Sequence, residues 1–131
     1  MVSNWSWEHD KIDGKHWRDY LTLDVDGLNV DGQPVYIYYC CSSNACYNKE
    51  EQTIAKFAGE FIPPCQVKIS WDINSNRDDY EIFYVLFADK PQNVDTVRKD
   101  IPLKHWYGFR DYSGFDGLNP SKGDNIYNPR R

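Results

Sequence analysis

The segment Val35 to Cys41 (Val-Tyr-Ile-Tyr-Tyr-Cys-Cys) is the strongest constraint on this chain, because it is apolar at both odd and even positions. Side chains alternate across a strand, so a strand of this kind needs cover on both faces and belongs in the middle of a sheet. Two other segments alternate instead. Leu21, Leu23 and Val25 share one face while Thr22 and Asp24 take the other, and Val67, Ile69, Trp71 and Ile73 repeat the pattern from Cys65 onward. These are half-buried strands. Tyr80 to Ala88 is a further run, nearly unbroken in apolar character after Glu81. With Cys65–Ile73 it predicts a hairpin around the polar segment 74–79, a loop of about five residues. Asp13-Gly14, Asp26-Gly27 and Asp31-Gly32 are turn dipeptides.

Two segments read as helical. Asn48 can cap free N–H groups with Glu51 three residues on, and Ile54, Phe57, Ala58 and Phe61 recur at helical spacing. Gly59 and Pro63-Pro64 then end a helix over Asn48–Ala58. Asn93–Ile101 is a shorter candidate through Val94, Val97 and Ile101. Residues 1–18 carry Trp5, Trp7 and Trp17 among charged residues, and are expected to be irregular or partly helical with the tryptophans packed back on the body. The expected fold class is α+β: a mostly antiparallel sheet of four or five strands with one or two helices packed on it, compatible with an α/β/α sandwich.

The 131 residues suit a single domain, with 119–131 a loose tail. Asp26-Gly27-Leu28-Asn29 recurs as Asp116-Gly117-Leu118-Asn119, but the flanks differ, and these are two similar turns rather than a repeat. No run of ~18 apolar residues could cross a bilayer as a helix. A net charge of −5 argues against sequence-blind nucleic-acid binding, which rests on neutralising phosphates. Met1 to Trp7 lacks the basic flank and apolar core of a signal peptide. An even cysteine count, abundant Asp and Asn, and the sequon Asn4-Trp5-Ser6 favour a secreted domain with its signal removed; a cytoplasmic chain is the alternative.

Cys40, Cys41, Cys46 and Cys65 are separated by zero, four and eighteen residues. A bridge between adjacent Cys40 and Cys41 would strain the backbone, so both are expected to pair with Cys46 and Cys65, in either order. Zinc sites need two ligand pairs at C-x₂₋₄-C spacing or histidine beside one; Cys41–Cys46 alone fits, and no histidine lies nearby. Asp24 to Gly32 is rich in oxygen ligands, but Leu28 and Asn29 stand where a helical calcium loop needs a ligand and a glycine. No metal or cofactor is expected.

No complete catalytic motif is present among His9, His16, His105, Glu8, Glu81, Arg98 and Arg110. Tyr39-Cys40-Cys41-Ser42-Ser43-Asn44-Ala45-Cys46-Tyr47, followed by a helical pattern ending Ala58-Gly59, resembles the opening of the small guanyl-specific fungal ribonucleases. The resemblance implies a helix ahead of an antiparallel sheet, with Glu81, an arginine (Arg98 or Arg110) and His105 as catalytic groups. The chain has no histidine between His16 and His105 and no glycine-rich guanine loop, where that family carries both.

Aromatic residues make up 16% of the chain, more than alternating strands and one helix stripe absorb. The excess lies at Trp5–Trp17 and at Trp106–Phe115, where aromatic, polar and glycine residues mix without a steady period. Rings that cover a sugar's C–H face, beside Asp, Asn and Arg that bind its hydroxyls, are the chemistry of glycan recognition. The expected function is therefore a non-enzymatic, lectin-like domain with Trp106, Tyr107, Arg110, Asp111, Tyr112, Asp116 and Asn119 as ligand-binding residues. Agglutination would further require two sites, as in a homodimer. An acidic inhibitor of the toxin-immunity kind is the second reading, because Trp, Tyr and Arg also dominate protein interfaces. A small secreted ribonuclease is the third.

Overall fold

The computed structural model describes residues 2–26, 32–41, 47–74, 80–112 and 126–127. They form two sheets over one core, mostly antiparallel and with few helical residues. The first sheet begins with the hairpin of β1 (Val2–Asp13) and β2 (His16–Val25), closed at Gly14, whose φ is +25°. The turn falls at the expected Asp13-Gly14 dipeptide. β1 replaces the irregular segment expected over residues 1–18. Its period of two is carried by Trp5 and Trp7, which lie opposite Leu23 and Leu21 and pack against the core. The tryptophans do pack back on the body, as expected. β5 (Cys65–Asn74) pairs with the other edge of β2, aligning Ile69 with Leu21 and Val67 with Leu23. Leu21, Leu23, Val25, Val67, Ile69, Trp71 and Ile73 are all buried, as the alternation predicts.

The second sheet is ordered β4 (Lys56–Phe61), β3 (Val35–Cys41), β6 (Tyr80–Ala88), β7 (Tyr107–Tyr112). A two-residue β8 (Ile126–Tyr127) runs parallel to Phe87 and Ala88, past the point where β7 stops pairing. β3 is central and covered on both sides. On one side the Tyr39 ring meets Trp71 of the first sheet edge-on, 5.3 Å between centroids. On the other, the Tyr38 hydroxyl accepts from the Gln92 N–H at 2.7 Å and donates to the Gln92 carbonyl at 3.1 Å. The segment after β6 then carries α1 (Val97–Asp100), with Val97 and Ile101 buried and Val94 packed against the core. No helix among the described residues is long and apolar enough to cross a membrane.

Three expectations are corrected. The helix over Asn48–Ala58 is a short 3₁₀ turn, Lys49–Gln52, followed by edge strand β4. Asn48 makes no side-chain cap, and the Ala55 N–H bonds the Val94 carbonyl instead of continuing a helix. Pairing with β3 outweighs local helical spacing, and the ribonuclease-like helix is absent with it. The Cys65–Ala88 hairpin does not form, because β5 and β6 lie in different sheets. One-sided β5 joins the sheet that keeps a solvent face. Doubly apolar β6, with Val85, Leu86, Phe87 and Ala88 all buried, joins β3. The second helix shrinks to the four residues of α1, so the fold is sheet-rich rather than α+β.

Candidate functional site

The even-numbered residues of β2 and β5 form the outer face of the first sheet, and the register brings distant charges together there. Arg18 lies opposite Asp72, fifty-four residues away. Its Nε donates to Asp72 Oδ1 at 2.7 Å. His16, one step along β2 on the same face, places Nε2 3.1 Å from Asp72 Oδ2. Tyr47 closes this end: its N–H donates to the Asp72 carbonyl at 3.0 Å, and its ring stacks on His16. The centroids are 3.9 Å apart and the planes 13° from parallel. Tyr47 remains 43% exposed, so the stack fixes the ring without hiding it.

The pattern continues along the face. Lys68 Nζ sits 4.8 Å above the Tyr20 ring and 3.5 Å from Glu8. Gln66 donates to Asp24 at 2.9 Å. Partial burial would push the Asp72 carboxyl up, but hydrogen bonds and charge from Arg18 and His16 hold it below the usual carboxylate range. The hydrogen bond and charge of Asp72, with Tyr20 adding to them, raise Arg18 above its ordinary value. The cluster therefore presents an ordered aromatic ring beside an ionised carboxylate and a guanidinium. That set can stack on an apolar ring face and bind hydroxyls at its rim. Among the described residues no group of three His, Cys, Asp or Glu side chains could hold a metal ion.

The residues expected to bind ligand lie elsewhere. Trp106 and Tyr107 are 1% and 2% exposed, so neither ring has a free face to offer a sugar. The Trp106 indole N–H donates to the Ile101 carbonyl at 3.1 Å, and Tyr107 packs edge-on against Phe87 at 5.3 Å. Arg110, Asp111 and Tyr112 occupy β7 backbone positions opposite Ile82, Glu81 and Tyr80. Asp116 and Asn119 lie outside the described residues, as does the Asp26–Asp31 turn region beyond Asp26 itself. The two aromatic-rich segments do meet: Trp5 contacts Phe109 edge-on at 5.8 Å. They meet as core, since Phe109 is fully buried. Of the ribonuclease-like set, Glu81 is on β6, Arg98 on α1 and His105 in the 3₁₀ turn Leu103–His105.

Cys40 and Cys65 are free thiols, so the expected pairing of all four cysteines is not formed. Cys41 is disulfide-bonded. Burial pushes the Cys40 thiol up to about 12 and raises that of Cys65.

Sequence reasoning missed Arg18, Tyr47 and Asp72, and weighed His16 only as a catalytic group. Each looks ordinary in isolation, and only the β2–β5 register joins them. The one available signal was the outward half of the alternation, which carries Arg18, Tyr20, Lys68 and Asp72. Comparison with family models, with curated proteins and with solved structures finds no match.

Proposed function

We propose that this chain is a non-enzymatic recognition domain that binds a glycan on the outer face of its first sheet. The observation that carries this reading is the exposed Tyr47 ring, fixed flat by His16 beside the Arg18–Asp72 pair. A ring already held in place loses little freedom when a sugar stacks on it, which favours binding. Asp72 is kept ionised and Arg18 is oriented, so both are ready for charge-assisted hydrogen bonds to hydroxyls. The chemistry is the one expected from the sequence, moved from the 106–119 segment to a different surface. A glycan-array screen with labelled protein tests it. Binding to a defined set of sugars, lost in Tyr47→Ala, supports the reading. An array without hits at micromolar protein removes it, and capture of a protein partner through the same face would turn the site to the inhibitor reading.

A further inference from the structure

Asp19 is the one charged or polar residue that is fully buried among the described residues. It sits on the inner face of β2, opposite Trp71, where its neighbours along the strand are apolar or aromatic. Its Oδ1 lies 2.7 Å from Nδ1 of His9 on edge strand β1, and its Oδ2 has no hydrogen-bond partner among the described residues. His9 is 38% exposed, and its ring lies parallel to Trp7, 6.4 Å between centroids and 2° between planes. A buried carboxylate is tolerated when a cation or a proton accompanies it.

The charged and titratable groups on the surrounding elements do not take that role. On β1, Lys11 follows His9 on the same face but lies 5.9 Å over the Trp17 ring. On β4, Lys56 lies 4.5 Å over the Trp71 ring and is paired with Glu51 at 3.1 Å. From β3 comes Tyr39, edge-on to Trp71, a phenol that supplies no positive charge and that burial raises further. β5 contributes Trp71.

We infer that His9 and Asp19 form a proton-dependent clasp that holds edge strand β1 on the first sheet. The imidazolium neutralises the buried carboxylate. A neutral imidazole can still donate from Nδ1, so what deprotonation removes is the charge rather than the hydrogen bond. The charge neutralisation is present while His9 carries its second proton and is lost when rising pH removes it. β1 is then the strand that loosens, because only one of its edges is paired among the described residues.

Amide hydrogen exchange of β1 against β5, corrected for intrinsic rates and run from pH 5 to pH 8, tests the clasp. The wild type should lose about tenfold of β1 protection relative to β5, the order by which a charge-assisted hydrogen bond exceeds a neutral one. Asp19→Asn keeps a hydrogen-bond acceptor without the charge and should flatten the profile. His9→Gln removes the titrating group and should flatten it as well, which covers the case that Asp19→Asn fails to fold. The emission of Trp7, read as the difference from Trp7→Phe, should follow the same transition because an imidazolium quenches a stacked indole. A flat wild-type profile, or an unchanged slope in His9→Gln, overturns the inference.

Discussion

Tyr47 lies flat against His16, 3.9 Å between ring centroids, while His16 in turn reaches Asp72 at 3.1 Å. The contact ties the segment before the 3₁₀ turn to the outer face of the first sheet. Tyr47 is half exposed and its ring crosses no core, so Tyr47→Ala should leave the fold intact. Circular dichroism of the variant should match the wild type, with a change in stability within about 1 kcal/mol.

Asp72 is held below the usual carboxylate range, so its contribution to stability is present above the unfolded value of about 3.9. It is lost as pH falls through the lower folded value. Thermal melts of wild type and Asp72→Asn between pH 2 and 7 should show the variant less stable at neutral pH. The two curves should converge at the acid end. A constant offset across the series would mean that the charge of Asp72 does not stabilise the cluster.

Gly59 lies inside edge strand β4 rather than at the end of a helix. In β4 its φ is +140°, and an added Cβ would come 3.0 Å from the Phe61 ring. Gly59→Ala should therefore destabilise the protein by about 1 kcal/mol or more, read from chemical denaturation.

Trp106 is core, and its truncation should show it. Trp106→Ala leaves a cavity and strands the Ile101 carbonyl, at a cost of about 3–5 kcal/mol in urea unfolding. Trp106→Phe should cost less, because it keeps much of the ring volume.

The two free cysteines should separate by reactivity. Cys40 is buried with its thiol pushed up to about 12, so little thiolate forms at pH 8. Cys65 is only partly buried. Alkylation of the native protein should label Cys65 slowly and leave Cys40 unmodified until denaturant is added. Peptide mapping by mass spectrometry reads both.

Much of the sheet structure was legible. Alternation placed Leu21, Leu23 and Val25 on one buried face and Val67 to Ile73 on another, and double-sided apolarity placed β3 at the centre. β4 was hidden because Phe57, Ala58 and Phe61 fit a helical stripe as well as they fit an edge strand with a bulge at Ala58. Sheet assignment was hidden for a different reason. Proximity in sequence favours a β5–β6 hairpin, whereas one-sided and two-sided burial divide those strands between sheets. The candidate site depends on pairings across fifty-four residues, which no local pattern reports. The Trp106–Phe109 segment misled because its rings follow the 3₁₀ turn directly into β7, so that no single period spans them.

Isothermal titration of the strongest array glycan into wild type, Tyr47→Ala and Arg18→Gln tests the glycan-binding face most directly. Loss of at least about tenfold in affinity in both variants, with folding unchanged, is the predicted result; tenfold corresponds to about 1.4 kcal/mol. Wild-type affinity in Tyr47→Ala would contradict the account.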